Sequence, residues 1–349
     1  MGLLRLWLGV KNRSNQKVAV LGGGSFGTVI ANIIATNGYD VTLWVRREGQ
    51  AHDISASGEN SGYLPGYKIS SNVTVTADII SAVKGCETVV FAVPSAAYRK
   101  LAKKISKFLV NGAAVISTAK GIESSTFLLP SQILKEELVS CEIGVISGPN
   151  IAKEIADGQI TATVVANDSD KFCQHVQNLL VSSTFRVYSN PDQFGVELAG
   201  ALKNIYAIVA GITDAIGGGQ NTKSVVLTRS LAEMNRFATE LGANPMTFLG
   251  LSGIGDLYVT CTSPLSRNFR VGIAIGQDRT LDQAIDDVGQ VAEGINTTRL
   301  VKERADELGV YMPLASALYA TLFEQRPIRE SLSEMMLSEQ NMDVDFLVK

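Results

Sequence analysis

Histidine is nearly absent from this sequence, and its scarcity excludes several kinds of catalytic site. The 349 residues include two histidines, so a Ser-His-Asp or Cys-His system would have to use His52 or His175. The Ser- and Gly-rich stretch around His52 predicts a loop, and the polar stretch around His175 predicts a helix. We interpret both as surface residues. The acid–base chemistry is therefore expected from Lys, Asp, Glu, Tyr or Cys.

Cysteines are few and the charges are balanced, which limits the metal sites and partners of the chain. The four cysteines are far apart and form no C-x-x-C pair, so neither a zinc site nor a disulfide framework is predicted. This usage favours a reducing, cytoplasmic location. A balance of 31 basic against 34 acidic residues gives a net charge of −3. Such a charge offers no basic footprint for nucleic acid or for a membrane surface.

The apolar stretch at the amino terminus is too short to cross a membrane. It covers residues 1–11, is interrupted by Arg5, and falls short of the ~20 residues that span a bilayer. No membrane insertion is expected, and residues 1–16 are predicted to form an irregular leader. With 46 % hydrophobic residues the composition is globular, and the length indicates two domains.

The periodicity of the chain changes near residue 190. Over residues 17–190, short apolar runs alternate with helix-compatible stretches, which predicts a parallel sheet covered by helices on both faces. From Phe194 onward helical periodicity takes over, so residues 191–349 are predicted to form an all-α domain. Within it we expect a loop at 251–270 and assign no structure to the tail from residue 331. The predicted strands are 17–21, 40–45, 88–93, 113–117, 143–147 and 161–165.

A glycine-rich turn follows the first predicted strand and precedes a helix-compatible stretch. Gly22, Gly24 and Gly27 form a G-x-G-x-x-G pattern, which is informative in this strand–turn–helix context. Gly22 allows the tight turn, Gly24 lets the backbone approach a pyrophosphate, and Gly27 lets the helix pack closely on the strand. The amino terminus of the helix offers N–H groups and a partial positive charge to the anion. The sequence therefore predicts a Rossmann-like dinucleotide-binding domain over residues 17–190.

Two arginines end the second predicted strand, at the position that distinguishes NAD from NADP. An acidic residue there would hold the ribose hydroxyls of NAD, whereas an arginine favours the 2′-phosphate of NADP. The strand ends in Arg46 and Arg47, and Glu48 is expected to lie past the pocket. We therefore predict that NADP(H) is used, with NAD(H) as the other nicotinamide cofactor.

A lysine interrupts the long apolar helix predicted over residues 194–215. Burial of Lys203 would lower its pKa towards the working pH, which suits a proton donor or acceptor. Asn204 could orient a substrate oxygen beside it. The alternative is a lysine that extends to water or pairs with Glu197, and the helix alone leaves the two interpretations equal. Lys203 shares its helical face with Val196, Ala199, Tyr206 and Ala210.

Lys120 lies just past the end of a predicted strand, in the stretch 117–121. Ligands of doubly wound sheets bind outside the carboxyl ends of the strands, so this position distinguishes Lys120 from the other lysines. The Ser-Gly-Pro-Asn stretch at 147–150 follows the next strand and reaches the same rim. Spacing alone does not identify the substrate.

A series of short motifs runs through residues 17–325. They are G-G-G-S-F-G-T at 22–28, V-P-S at 93–95, T-A-K-G at 118–121, S-G-P-N-I-A at 147–152, F-R-V-Y at 185–188, G-V-E-L at 195–198, L-K-N at 202–204, L-S-G-I-G-D-L at 251–257, T-C-T at 260–262, S-R-N at 266–268 and E-G at 293–294. In order and spacing the series resembles the NAD(P)-dependent sn-glycerol-3-phosphate dehydrogenases of the soluble bacterial type. The leader and the C-terminal tail lie outside this resemblance.

The resemblance implies a reversible hydride transfer between NAD(P)H and C2 of dihydroxyacetone phosphate, which gives sn-glycerol 3-phosphate, the backbone of phospholipids. It implies that Lys203 donates the proton to the C2 oxygen and accepts it in the reverse direction. Lys120 would bind the substrate and polarise its carbonyl, and Asp256 would reach both the lysine and the substrate. Arg267 would grip the substrate phosphate, because a guanidinium fork suits phosphate oxygens.

The resemblance also assigns the remaining contacts, and the few cysteines and histidines predict no metal site. The residues that the resemblance implies in substrate binding are Lys120, Gly148, Asn150, Lys203, Asn204, Asp256, Thr260, Ser266, Arg267 and Asn268. The cofactor set combines the glycine turn and the two arginines with residues that the resemblance adds. Its members are Gly22, Gly24, Ser25, Phe26, Gly27, Arg46, Arg47, Lys120, Ala152, Arg267, Val291 and Glu293.

Two other functions stay open at this point. One is another dehydrogenase with a Rossmann-like and a helical domain, acting on a β-hydroxyacid or on ketopantoate, against which the phosphate grip at 266–268 argues. The other is a nucleotide-binding protein without catalysis, against which Lys120, Lys203 and Asp256 argue. We expect a homodimer, because the apolar helical domain could carry an interface and the family often dimerises.

Overall fold

The structure, a computed structural model, describes residues 16–289, 291–327 and 330. The predicted leader, apart from residue 16, and the tail from residue 331 lie outside these ranges. Within the described residues there are eight strands: β1 Lys17–Leu21, β2 Asp40–Trp44, β3 Val73–Thr76, β4 Thr88–Phe91, β5 Ala114–Ser117, β6 Glu142–Ser147, β7 Thr161–Ala166 and β8 Phe185–Asn190.

The strands form one sheet in the order β3-β2-β1-β4-β5-β6-β7-β8. The first six strands pair in parallel, and apolar side chains are buried on both faces, as the continuous apolar runs predict. The helices that accompany the sheet are α1 Ser25–Thr36, α2 Glu48–Ser57, α3 Ile79–Val83, α4 Tyr98–Ile105, α5 Pro130–Glu137, α6 Ala152–Ala156 and α7 Asp170–Leu180.

The chain continues after β8 as helices only, within the described residues. β8 ends at Asn190 and the first of these helices begins at Gln193, so the predicted fold class, an α/β sheet followed by an all-α part, is confirmed. The division into domains at residue 190 stays a prediction. The helices are α8 Gln193–Ala215, α9 Gln220–Glu240, α10 Asp256–Thr262, α11 Arg267–Gly276, α12 Leu281–Val288, α13 Glu293–Leu308 and α14 Pro313–Phe323.

One strand corrects the expectation of a wholly parallel sheet. β7 pairs antiparallel with β6, and β8 then runs parallel to β7. The connection from β6 to β7 contains only the five-residue helix α6. A helix of five residues rises only about 7.5 Å, whereas a six-residue strand spans about 20 Å, so α6 does not carry the chain back along the sheet and β7 returns in the opposite direction.

Among the elements missing from the sequence prediction, three have weakly apolar patterns. β3 and β8 are the two edge strands, and their polar residues alternate with apolar ones in place of a continuous run. The helix α2 buries only Ile54, so it lacks an apolar stripe. His52 therefore lies on a helix and not in a loop, and it is exposed, as expected. His175 is half-buried on α7, and its Nε2 lies 2.8 Å from Thr88 Oγ1.

The predicted loop at 251–270 is mostly helical. A π-helix covers Leu251–Gly255, α10 follows it directly, and α11 begins at Arg267. A π-helix bonds residue i to residue i+5, so it does not produce the 3.6-residue periodicity that identifies an α-helix in a sequence. Two glycines in Leu-Ser-Gly-Ile-Gly strengthen the false impression of a loop.

The helix α8 forms the centre of the helical part. It is long and apolar enough to cross a membrane by length and composition, but 94 % of its most apolar window is buried inside the structure. Its apolar character is thus explained by its place in the core. It crosses α11 at backbone contact, because a Cβ on Gly272 would lie 2.0 Å from the carbonyl oxygen of Ile208. This close crossing places the start of α11 beside Asn204.

Candidate active site

The glycine turn has the close contacts that its pattern predicts. Gly22 has φ +123°, and a Cβ there would lie 2.3 Å from the carbonyl oxygen of Ala92. A Cβ on Gly27 would lie 1.9 Å from the carbonyl oxygen of Gly22, so α1 packs directly on the turn. A Cβ on Gly24, in contrast, would meet nothing within 4 Å, which leaves its face open.

The amino terminus of α1 is suited to an anion. Gly24 caps it without a side-chain hydrogen bond, and the first turn contains no acidic residue. The helix dipole and the N–H groups of this turn are therefore available to a pyrophosphate, and the residues fit a dinucleotide. Ser25, in the first turn, donates its hydroxyl to the backbone oxygen of Tyr63 over 2.7 Å, and Phe26 packs against the core of the sheet.

Two amides that the sequence analysis missed support this turn. Asn60 Nδ2 donates to the carbonyl oxygen of Gly23 over 2.9 Å and to Thr28 Oγ1 over 2.8 Å. Gln50 Nε2 donates to the same carbonyl oxygen over 2.9 Å. Their distance along the chain from the glycines hides them from motif analysis.

Arg46 and Arg47 follow β2 and are exposed. No carboxylate among the described residues pairs with either guanidinium. Since a phosphate would meet no competing partner there, both side chains fit the predicted contact with a 2′-phosphate.

Two lysines and one carboxylate meet where the sheet and the helical part join. Asp256, the first residue of α10, is 1 % exposed. Its Oδ1 accepts a hydrogen bond from Lys203 Nζ over 2.5 Å, and its Oδ2 accepts one from Lys120 Nζ over 2.5 Å. Lys203 Nζ also donates to Thr260 Oγ1 over 2.5 Å, and Lys120 Nζ donates to the carbonyl oxygen of Gly148 over 2.9 Å.

The structure decides between the two interpretations of Lys203. The residue is 6 % exposed, so it does not extend to water. Glu197 binds Ser117 and Ser131 and leaves Lys203 to Asp256. The pKa of Lys203 is lowered to about 8, mainly by burial; the charge of Asp256 opposes this shift and the charge of Lys120 adds to it. Lys203 is therefore a desolvated amine whose pKa lies well below the ordinary value for lysine.

Asparagine side chains connect the Lys120 loop to α11 and α13. Asn204 Nδ2 donates to the backbone oxygen of Lys120 over 2.9 Å. Asn268 Nδ2 donates to Asn204 Oδ1 over 2.9 Å, and Asn268 Oδ1 accepts from the N–H of Gly294 over 3.0 Å. These hydrogen bonds fix both amides in place and leave one N–H of Asn268 for another acceptor.

The loop after β6 borders the site on the side of Lys120, which donates to the carbonyl oxygen of Gly148. Gly148 has φ +152° and faces β7. Asn150 Nδ2 donates to the backbone oxygen of Ala162 over 3.1 Å, and Asn150 Oδ1 accepts from Thr163 Oγ1 over 2.8 Å. Ala152 begins α6 and packs against the core on the α1 side of the sheet.

The remaining predicted residues lie at the starts of α11 and α13. Ser266 caps α11 by accepting from the N–H of Phe269 over 3.3 Å, and Arg267, the next residue, is exposed. Glu293 begins α13 and accepts hydrogen bonds from the backbone and hydroxyl of Ser95, at 3.1 Å and 3.0 Å. Val291 is 57 % exposed. Ser95 belongs to the V-P-S motif, so Glu293 ties α13 to the rim of the sheet.

No group of three or more His, Cys, Asp and Glu side chains that could hold a metal ion lies in the described ranges.

Comparison with known proteins identifies the family. Models of the N-terminal and C-terminal parts of NAD-dependent glycerol-3-phosphate dehydrogenase match residues 17–173 and 192–333. The chain belongs to this family. It is therefore an NAD(P)-dependent oxidoreductase, and the predicted family, enzyme class and cofactor class are confirmed.

Individual relatives agree with the family models over nearly the whole chain. The glycerol-3-phosphate dehydrogenases [NAD(P)+] of Saccharophagus degradans and Teredinibacter turnerae are each 53 % identical over 332 residues, which is 95 % of this chain and 93 % and 98 % of theirs. The crystal structure of glycerol-3-phosphate dehydrogenase from Coxiella burnetii is 32 % identical. Its TM-score is 0.88, and the match covers 93 % of this chain and 99 % of that one.

Proposed function

We propose that Lys203 supplies the proton when this enzyme reduces dihydroxyacetone phosphate to sn-glycerol 3-phosphate. One observation carries the proposal: the Lys203 ammonium is buried against Asp256 and Thr260, and burial lowers its pKa to about 8. An acid with a pKa near the working pH gives up its proton readily and is readily recharged. Hydride for C2 is the chemistry that bound NAD(P)H supplies.

Lys120 has a different role in this proposal. Its side chain is 22 % exposed, and its ammonium lies between the carbonyl oxygen of Gly148 and the carboxylate of Asp256. A cation at this rim polarises the C2 carbonyl and stabilises the developing alkoxide. Asp256 holds both ammonium groups, one on each oxygen, and so orients them towards the same substrate atom.

The start of α11 supports the proposed phosphate grip. Arg267 is exposed in the first turn of this ten-residue helix, where the helix dipole also favours an anion. Asn268 has one amide N–H left to donate, and Ser266 orients the turn as its cap. The substrate set is completed by Gly148, Asn204 and Thr260, which contact the lysines, and by Asn150, which lies in the same loop as Gly148.

The cofactor contacts are proposed on the same grounds. The glycine turn with Ser25 and Phe26 would hold the pyrophosphate region, and Arg46 with Arg47 would hold the 2′-phosphate of NADP(H). The other residues that we propose for cofactor binding are Lys120, Ala152, Arg267, Val291 and Glu293.

The test is the loss of absorbance at the reduced-nicotinamide band with dihydroxyacetone phosphate, followed with NADPH and with NADH in parallel. Turnover that disappears in Lys203→Ala supports the assignment. Cofactor binding without turnover of this substrate contradicts it and favours a non-catalytic nucleotide binder or a different carbonyl substrate, which a panel of phosphorylated and carboxylated ketones would distinguish.

We also infer that the enzyme is a cytoplasmic homodimer. Large apolar side chains are exposed on its helical part, including Met246, Leu249 and Tyr258, which are 54–61 % exposed, and an association surface would cover such residues. Sedimentation equilibrium of the purified chain tests the stoichiometry, and cell fractionation tests the location.

A further inference from the structure

A buried carboxylate outside the reacting groups joins the helical part to the sheet. Glu197 lies on α8 and is 1 % exposed. Its Oε1 accepts hydrogen bonds from the N–H of Ser131 over 2.9 Å and from Ser117 Oγ over 3.2 Å, and its Oε2 accepts from Ser131 Oγ over 2.5 Å. Ser117 is the last residue of β5, and Ser131 lies in the first turn of α5. One side chain thus holds two elements of the sheet half.

A buried tyrosine hydroxyl extends this network to the loop that contains Lys120. Tyr98 OH accepts hydrogen bonds from the N–H groups of Thr118 and Ala119, at 3.2 Å and 3.1 Å, and donates to the carbonyl oxygen of Phe91 over 2.9 Å. Ser117 Oγ lies 3.3 Å from the same hydroxyl. Because Tyr98 already uses its proton and both lone pairs, the Ser117 proton is directed to Glu197.

The backbone of Lys120 is therefore fixed on both sides. The two N–H groups that precede it bind Tyr98, and its own carbonyl oxygen accepts from Asn204. Lys120 has a long, flexible side chain, and a fixed loop backbone reduces the number of positions open to its ammonium, which favours the 2.5 Å contact with Asp256.

We propose that Tyr98 and Glu197 are positioning residues: they hold the end of β5 so that the Lys120 ammonium stays against Asp256 and faces the substrate. The inference rests on the proposed role of Lys120. A displacement of about 1 Å at a reacting group is enough to cost a large factor in rate, so the loss of this support has a measurable effect on turnover.

The first experiment compares two tyrosines that lie in equally buried surroundings. Tyr98→Phe removes the hydroxyl that binds the Lys120 loop and keeps the ring. Tyr206→Phe is the matched control, since Tyr206 is also fully buried and its hydroxyl binds a carboxylate, Glu233, away from Lys120. We expect kcat/KM for dihydroxyacetone phosphate to fall about tenfold in Tyr98→Phe and less than about twofold in Tyr206→Phe. The Kd of NADPH should change little in either variant.

A double-mutant cycle separates positioning of Lys120 from a general structural effect. If Tyr98 acts through Lys120, Tyr98→Phe has almost no further effect on kcat/KM in a Lys120→Ala background. An equal loss in both backgrounds overturns the inference, and so does an unchanged kcat/KM in Tyr98→Phe. Full activity in Lys120→Ala alone instead contradicts the proposed role of Lys120, so the two failures are distinguishable.

A second variant keeps the test decisive if Tyr98→Phe does not fold. Ser117→Ala removes the hydroxyl between β5 and Glu197, with little change in volume. It should lower kcat/KM in the same background-dependent way and leave NADPH binding intact. Glu197→Gln should retain most of the activity, because an amide can accept from Ser117 and from the Ser131 N–H while donating to the Ser131 hydroxyl. A loss in Glu197→Gln as large as in Ser117→Ala contradicts the hydrogen-bonding role.

Discussion

Lys120 and Lys203 reach the same carboxylate from opposite halves of the molecule, and their surroundings differ. The Lys120 side chain comes from a loop at the rim of the sheet and is 22 % exposed, whereas the Lys203 side chain comes from the middle of the core helix α8 and is 7 % exposed. Burial lowers the pKa of Lys203, and the open rim leaves the Lys120 side chain within reach of a substrate. The sheet half, up to residue 190, presents binding groups at an open edge, and the helical half, from residue 193 onward, supplies a desolvated proton donor.

The sharpest test of this division is removal of each lysine in turn. Lys203→Ala should lower kcat by about 10²–10⁴-fold, the usual contribution of a general acid, while the Kd of NADPH is unchanged. Lys120→Ala should raise KM for the substrate as well as lower kcat, because a binding group is lost. Steady-state kinetics with NADPH titrations measure both. If Lys203→Ala keeps more than about a tenth of wild-type kcat, Lys203 is not the obligatory donor.

The cofactor site should respond independently of the helical half. Arg46→Glu replaces the exposed cation at the end of β2 by an anion, which would repel a 2′-phosphate. The ratio of kcat/KM for NADPH to that for NADH should fall by about 10–100-fold, the range for a lost charge-assisted hydrogen bond. KM for dihydroxyacetone phosphate should stay near the wild-type value. An unchanged ratio would show that Arg46 does not contact the 2′-phosphate, and Arg47→Glu would then be measured in the same way.

The pH dependence of the two directions tests the acidity of Lys203. Its pKa is lowered to about 8 by burial, so the charged form is lost as the pH rises through 8. Reduction needs the charged amine, and its kcat/KM should fall about tenfold per pH unit above 8. Oxidation needs the neutral amine, and its kcat/KM should rise with pH and level off near 8. The inflection should vanish from the residual activity of Lys203→Ala; an inflection that persists there belongs to another group.

The comparison of the halves also explains which site residues a sequence can reveal. Lys120 and Lys203 stand out because one follows a strand and the other interrupts an apolar helix, and both signals are local. Asp256 has no local signal, since the π-helix before it has no α-helical periodicity, and only the family motif indicates it. Asn60 and Tyr98 act on backbone atoms of distant segments, and such contacts depend on tertiary packing that periodicity does not report.

The smallest expected effect on activity concerns a second buried carboxylate, Glu233, whose hydrogen-bond partners lie on α8 and α14 and include neither lysine. Glu233 on α9 accepts hydrogen bonds from the N–H groups of Leu314 and Ala315 at the start of α14, and from Tyr206 OH. Burial raises its pKa to about 7, so the folded protein holds more protons than the unfolded chain between about pH 4.5 and 7. Its contribution to stability therefore decreases as the pH rises through this window and is constant above it.

Glu233→Gln removes this titration but keeps an acceptor for α14. Loss of one hydrogen bond should cost about 1–2 kcal/mol of the free energy of unfolding at every pH. As the pH rises from 4.5 to 8, however, the free energy of unfolding of wild type should fall by up to about 3 kcal/mol, whereas that of the variant should not. The reason is that each pKa unit between the folded and unfolded states is worth about 1.4 kcal/mol. Urea unfolding across this range measures the difference, with the exposed Glu324→Gln as control. Activity should be unchanged. Parallel stability curves for Glu233→Gln and wild type would show that Glu233 is charged in the folded protein over the whole range from pH 4.5 to 8. The hydrogen bonds to this carboxylate would then stabilise its charged form more than burial destabilises it.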